Sequence, residues 1–248
     1  MLAKTSPDEI QSFLSDASYI QDGSVDRVVF PQSAEEVAEA LAIASREGTP
    51  VTISGAGTGT VGGRIPHGGL VLATDNLNEI KSLVHTNEST GSATAQAGVR
   101  LADFQRFVES EGLFYPPDPT ERSAYLGGTV ATNASGARTF KYGPTRKYVD
   151  RLKIALANGE IIDLRRGEHH ADAKGIVHLS LPSGQIIEAR LPDYRMPQVR
   201  KNAAGYYVAP KMDLVDLFIG SEGTLGVIVD IDNVKLGPGY RVRGDVKH

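Results

Sequence analysis

The chain has no cysteine among its 248 residues. That excludes disulfide bonds, thiolate metal sites and a cysteine nucleophile, and leaves the compartment open, because cytosolic proteins also do without cysteine. Charge of one sign is not concentrated either. Twenty-six basic residues stand against 30 acidic ones, for a net charge of −4, and no long basic run occurs. The electrostatic footprint of a nucleic-acid-binding protein is therefore missing. No apolar run approaches the roughly 20 residues that cross a bilayer. Residues 1–16 carry acids and no apolar stretch, unlike a secretory leader. The six histidines lack ligand spacing, and His169-His170, between Glu168 and Asp172, reads as a solvated turn rather than a metal site. Gly220-Ser221-Glu222-Gly223 is not a nucleophile elbow, since no residue separates Gly220 from Ser221. The acidic residues show no pairing for acid–base work. What these absences leave is the expectation of a soluble, cytoplasmic protein of ordinary globular composition, 40% hydrophobic and 23% charged.

Local signals place the elements. Ser6, Pro7 and Glu9 read as a capped helix start with Ile10, Phe13 and Leu14 on its apolar side. Residues 27–30 form a short strand. Ser33 and Glu36 make a second capping box, opening a helix with Val37, Ala40, Leu41 and Ala44 on one face and a stop at Gly48. Residues 50–53 are the next strand, so the three elements form a βαβ unit with parallel strands. Residues 69–73 give a third apolar strand. Further on come a strand at 92–97 and an amphipathic helix carrying Leu101, Phe104, Phe107 and Val108, ended by Gly112. Asn158-Gly159 joins residues 148–157 to 160–164 as a hairpin, and Pro182-Ser183-Gly184 joins 177–181 to 185–189. The first third reads as parallel α/β, the rest as mixed and largely antiparallel. Residues 192–210 are polar and irregular, and are expected to lie as a loop over another part of the molecule.

Two glycine-rich regions stand out. Ser54-Gly55-Ala56-Gly57-Thr58-Gly59-Thr60 leaves the carboxyl end of the second parallel strand, the edge at which open parallel sheets hold ligands. Gly57 to Gly62 matches G-x-G-x-x-G, yet Gly63, Arg64, Ile65, Pro66, His67, Gly68 and Gly69 follow, and these do not open a helix. No Gly-Lys-Ser/Thr ending makes the loop a phosphate-binding P-loop either. Two readings stay open: a nest of backbone N–H groups for an anion, helped by the Thr58 and Thr60 hydroxyls, or a plain surface loop. The second region runs through Pro116-Pro117-Asp118-Pro119-Thr120, Gly127-Gly128, Asn133-Ala134-Ser135-Gly136-Ala137 and Tyr142-Gly143. Prolines fix direction there and glycines admit close approach, so the backbone is the working part. Two backbone-lined regions suit one long ligand gripped at two places, and a dinucleotide is such a ligand.

These two regions, together with Phe218-Ile219-Gly220-Ser221-Glu222-Gly223-Thr224-Leu225-Gly226-Val227-Ile228, agree in order and spacing with a known family. The chain resembles the FAD-binding domain of the vanillyl-alcohol oxidase/p-cresol methylhydroxylase (PCMH)-type flavoproteins over nearly its whole length. Within that family it is most similar to the D-lactate dehydrogenase, D-2-hydroxyglutarate dehydrogenase and glycolate oxidase branch. The resemblance implies an α+β fold of two subdomains: a small parallel βαβ sheet at about 1–85, and a larger mixed or antiparallel sheet flanked by helices at about 86–236. A polar tail, 237–248, follows.

It also implies roles. Ser54, Gly55, Ala56, Gly57, Thr58, Gly59 and Thr60 would wrap the FAD pyrophosphate. Pro117, Asp118, Pro119 and Thr120 would line the cofactor midway, and Gly127 and Gly128 would pass close to the phosphates. Asn133, Ser135, Gly136 and Arg138 would lie along the ribityl and pyrophosphate side, with Tyr142 and Gly143 closing the loop. Glu222, Gly223, Gly226 and Ile228 would hold the adenosine or ribityl region. Some relatives tether FAD through a histidine in the first loop. Residues 54–60 contain none, and there is no cysteine for a second tether, so FAD is expected to be non-covalent. His67 lies past the loop and reads as a turn residue.

The family's enzymes carry a further domain that forms the substrate pocket, and the expectation is that it is absent here. The implied function is the flavin part of an oxidoreductase. It would take a hydride from a small 2-hydroxy acid and pass electrons to a separate acceptor, with a missing domain or partner subunit completing the pocket. The alternative is a non-catalytic FAD-holding subunit or interaction module. Related domains also serve an ether-lipid synthase and a cell-wall sugar reductase. Arg195, Arg200, Lys201 and Asn202 would face a substrate carboxylate, the other reading being a solvated basic loop.

Overall fold

The computed structural model describes residues 1–199 and 201–238; Arg200 and residues 239–248, with most of the expected tail, lie outside them. The chain begins with β1 (Leu2–Lys4), α1 (Pro7–Ile10), β2 (Arg27–Phe30), α2 (Ala34–Glu47), β3 (Val51–Ser54) and β4 (Leu70–Ala73). Their sheet has the order β1-β2-β4-β3. β2 and β3 both run parallel to β4, with Arg27 and Val51 each opposite Leu70, so β4 lies between the two strands of the expected βαβ unit. All four residues of β4 are buried, as a central strand covered on both faces requires. β1 adds an antiparallel edge, which makes the sheet mixed rather than purely parallel.

The start of α2 follows from its sequence. The Ser33 hydroxyl accepts the Glu36 N–H at 3.2 Å, and the Glu36 carboxylate accepts the Gln32 N–H at 2.9 Å. Ser33→Ala is expected to lower stability by about 1 kcal/mol, which thermal melting reads as a fall of roughly 2–4 °C. At Ser6 the box forms differently. The hydroxyl donates to the Glu9 carboxylate at 2.7 Å, with no cap bond to the backbone, and α1 ends after one turn.

The second part contains β5 (Ile80–Asn87), β6 (Thr90–Gln96), α3 (Leu101–Ser110), β7 (Leu113–Phe114), α4 (Leu126–Ala131) and α5 (Thr139–Tyr142). It continues with β8 (Val149–Ala155), β9 (Ile161–Arg165), β10 (Ile176–Ser180), β11 (Ile186–Arg190), α6 (Val215–Phe218) and β12 (Val227–Pro238). The sheet order is β5-β6-β12-β8-β9, with β7 on the end of β12. Every pairing in it is antiparallel among the described residues. Both expected hairpins form, β8 with β9 and β10 with β11. The division expected near residue 85 falls inside β5, since the change of sheet occurs between Ala73 and Ile80.

The last strand, β12, occupies the middle of the sheet, so the final glycine motif enters the molecule at its centre. The main core packs Phe104, Leu126, Leu152, Ile154 and Ile231 together. A second core joins Val37, Leu41, Leu70 and Leu72 to Ala155, Val227 and Val229 of the large sheet. α2 thereby packs against both sheets, and the two parts share a core rather than meeting at a loose linker.

Candidate cofactor site

The first glycine loop is rooted at Ser54, which ends β3 fully buried. Its carbonyl accepts both the N–H and the hydroxyl of Thr74, at 2.9 and 3.2 Å. From Gly55 through Arg64 no backbone N–H donates to a protein group among the described residues. Gly57 lies at φ 72°, where only glycine is unstrained. A side chain at Gly59 would meet nothing within 4 Å, and one at Gly55 only the Tyr125 ring at 3.9 Å. A run of unclaimed amides at the carboxyl end of a parallel strand is a donor set for an anion.

The wall opposite is α4. The Gly127 N–H donates to the Ala97 carbonyl at 2.7 Å, and a side chain there would come within 2.6 Å of the Ala97 Cβ. Gly127 is thus fixed by packing onto the end of β6. Gly128 faces open space, and its N–H has no protein acceptor among the described residues. At the end of α4, the Val130 and Ala131 carbonyls accept the N–H groups of Gly220 and Glu222 at 3.1 and 2.9 Å. The final motif is held there against the first loop. A side chain at Gly63 would meet the Glu222 carboxylate at 3.3 Å, and one at Gly223 would meet Ile53 at 3.2 Å. Three separate sequence segments thus converge beyond the carboxyl ends of β3 and β4.

The Pro117–Thr120 turn joins Gly136 and Arg138 in a neighbouring group. The Arg138 Nε lies 3.2 Å from the Asp118 Oδ2, and its guanidinium packs over the Phe114 ring at 5.1 Å. The Pro117 carbonyl accepts from the Gln105 amide at 2.9 Å, while Thr120 is exposed. The Gly136 N–H donates to the Thr139 hydroxyl at 2.8 Å, Gly143 caps α5 on the Thr139 carbonyl, and the Tyr142 carbonyl accepts the Tyr148 hydroxyl at 2.9 Å. Ser135 is half-buried beside this group.

Asn133 is buried, and its side chain is committed to the protein. Its Oδ1 accepts the Arg146 N–H at 3.0 Å, and its Nδ2 donates to the Asn202 carbonyl at 3.3 Å. Asn202 therefore reaches the site through its backbone. Lys201 and Arg195 are exposed, and Arg200 lies outside the described residues. The irregular segment is further pinned by Tyr206, whose hydroxyl meets the Thr224 hydroxyl at 2.6 Å, and by Tyr207, 4.5 Å beneath the Arg146 guanidinium. It does lie over the final motif. The Ile228 side chain is buried in the main core, and Gly226 sits against Ile154, so these two can offer a ligand only backbone.

Two arginines without any short-range signal complete the arrangement. Arg146 donates to the Asp216 carboxylate at 3.1 Å and, closely, to the Asp216 and Ile219 carbonyls. Arg166 donates to the same carboxylate at 2.8 and 3.0 Å. Burial pushes the Arg146 guanidinium down, and Asp216 opposes that. Around the first loop, burial likewise pushes Arg64 down, and burial together with the Asp75 charge raises the Tyr125 hydroxyl.

A polar cleft lined by Gln32, Asn76, Asn78, Glu79 and Gln96 holds none of the expected residues. Its groups are largely spent on one another and on nearby backbone: the Gln96 Oε1 accepts the Glu79 N–H at 2.9 Å, and Asn78 donates to the Asp75 carbonyl at 3.2 Å. Among the described residues no group of three or more acidic or histidine side chains is placed to hold a metal. Among the described residues no helix is long and apolar enough to cross a membrane.

A two-sheet fold with a donor-rich glycine loop facing a glycine-bearing wall defines a domain for an extended, phosphate-containing cofactor. Comparison with known proteins names the cofactor. The model of the family described as an FAD binding domain matches residues 25–165, more than half of the chain, and the protein belongs to that family. The chain is 38% identical over 215 residues to the glycolate oxidase subunit GlcD of Bacillus subtilis, covering 86% of this chain and 37% of that one. It is 34% identical to a D-lactate dehydrogenase of Archaeoglobus fulgidus, covering 86% and 39%. Its fold matches a solved alkyldihydroxyacetonephosphate synthase with a TM-score of 0.67 at 17% identity, over 95% of this chain and 36% of the other. The chain thus spans under two-fifths of each of these two curated relatives. The PCMH-type FAD-binding fold and FAD as cofactor agree with the sequence resemblance.

Proposed function

We propose that this chain is the FAD-holding part of an oxidoreductase that oxidises a small 2-hydroxy acid and delivers the electrons to a separate acceptor. The observation that carries the reading is the run of unbonded amides from Gly55 to Arg64, set against α4 and Glu222. Bound FAD would supply a two-electron acceptor for a hydride from the substrate α-carbon. The chain's own part is to bind and orient. The loop amides and the Thr58 and Thr60 hydroxyls meet phosphate oxygens, Gly128 admits close approach, and the Pro117–Thr120 turn and Arg138 border the middle of the ligand. Lys201, at the surface beside Asn202, suits a substrate carboxylate. The substrate class rests on likeness to enzymes named for glycolate and D-lactate, both 2-hydroxy acids. A further domain or partner subunit completes the pocket.

The test is anaerobic mixing of the FAD-loaded chain, assembled with the further domain or partner subunit that completes its pocket, with glycolate and D-lactate. Bleaching of the visible flavin absorbance supports the reading. If neither bleaches a flavin that dithionite reduces, a non-catalytic FAD-holding subunit is favoured instead. Binding is non-covalent in this proposal, supported by the lack of histidine in residues 54–60 and of cysteine anywhere. Acid precipitation is expected to leave the yellow colour in the supernatant, and colour in the pellet would contradict it.

A further inference from the structure

We infer that Arg64 supplies the positive charge that meets the cofactor pyrophosphate at the first glycine loop. The inference rests on the FAD-holding reading and adds a side chain to a loop that otherwise offers only amides and hydroxyls.

The guanidinium lies directly against Gly57. A side chain at that position would sit 3.0 Å from the Arg64 Cζ and closer still to its Nη1. Arg64 is held there from behind. Its Nη2 donates to the Ser12 carbonyl at 2.8 Å, and its Cζ lies 5.2 Å over the Phe13 ring. Its Nε is buried with no hydrogen-bond partner. The titratable groups facing it are Asp16, Asp75 and Tyr125, and none forms an ion pair or hydrogen bond with it among the described residues. Asp16 is engaged by the Ser18 N–H at 2.8 Å and Asp75 by the Tyr125 hydroxyl at 3.2 Å. Their other oxygens are buried and, like the Arg64 Nε, unpartnered.

A partly buried cation without a contacting counter-ion, beside a run of unsatisfied N–H donors, is a site for an anion. FAD presents its two negative charges at the pyrophosphate. Asp16 and Asp75 face the guanidinium without contacting it, so its Nη1, against Gly57, remains for the ligand.

The test is titration of the flavin-free chain with FAD at several salt concentrations, for wild type, Arg64→Met and Arg64→Lys, with thermal melting of each. Arg64→Met is expected to weaken FAD by about 10- to 100-fold, the loss typical of a charge-assisted hydrogen bond. Its affinity should also depend less on salt than that of wild type. Arg64→Lys, which keeps the charge but not the fork, should regain the salt dependence and part of the affinity. Affinity of Arg64→Met within about threefold of wild type would overturn the inference. So would a loss in Arg64→Met that leaves the salt dependence unchanged and is matched by Arg64→Lys, since that marks a purely structural anchor. If Arg64→Met does not fold, Arg64→Gln decides: a salt dependence weaker than that of wild type supports the inference, and one equal to wild type overturns it. Failure of folded wild type to bind FAD would remove the FAD-holding reading itself, and this inference with it.

Discussion

Gly136→Ala is expected to lower the melting temperature by at least 6–12 °C and to abolish FAD retention. The added Cβ would lie 2.7 Å from the Asp118 carbonyl carbon and 2.8 Å from the Pro119 Cα, with the Asp118 carbonyl oxygen nearer still. All three are backbone atoms, and the flanking prolines stiffen the segment, so no rotamer change relieves the clash. Overpacking of this kind costs about 3 kcal/mol or more, and each kcal/mol is worth about 2–4 °C in a chain of this size. Gly128→Ala is the control. A side chain there meets nothing within 4 Å, and alanine favours α4 by up to about 1 kcal/mol. Gly128→Ala should therefore melt no lower than wild type while weakening FAD, because the open space beside Gly128 is assigned to the cofactor. Gly136→Ala melting with wild type would show that the Asp118–Gly136 approach is not needed, and unchanged FAD binding in Gly128→Ala would remove that residue from the site.

Arg146→Met should have the next largest effect. The Arg146 side chain is only 14% exposed and that of Asp216 13%. The guanidinium ties Asp216, the Asp216 and Ile219 carbonyls and the Tyr207 ring into one unit beneath the final glycine motif. Its loss orphans two carbonyls and leaves Asp216 to Arg166 alone. Breaking a mostly buried pair costs about 3–5 kcal/mol, and the retained Arg166 places this case near the lower end, a fall of roughly 6–12 °C. FAD affinity should drop as well, because the Gly220–Gly223 turn loses its support. Arg146→Lys keeps the charge but cannot span all these acceptors at once, so it should fall between the two. A melting temperature within about 2 °C of wild type, together with unchanged FAD affinity, would show the network to be dispensable.

What was legible in the sequence was local. Ser33 and Gly48 bracket α2, and Asn158-Gly159 turns β8 into β9, because capping and turn chemistry act within a few residues. β5 gave no signal, since much of Ile80–Asn87 is exposed and polar and its strand is imposed by pairing with β6. α4 was hidden by the poor helix propensity of Gly127 and Gly128, which packing of Gly127 on Ala97 overrides. The glycine segments drew attention to the candidate site, but not to the reason for each glycine: Gly136 answers to Asp118 and Pro119, and Gly127 to Ala97. Asn133 likewise serves Arg146 and Asn202 rather than an open surface. Arg64 and Arg146 could not be singled out, because the carbonyls that hold them come from 52 and 70 or more residues away.

The most direct test of the central claim is an equilibrium titration of the purified, flavin-free chain with FAD, followed by its visible spectrum and by heat release of the bound flavin. Saturation at one FAD per chain, with intact FAD recovered in the supernatant, is the expected result. A chain that melts cooperatively yet leaves the FAD spectrum and fluorescence unchanged at saturating protein would contradict it.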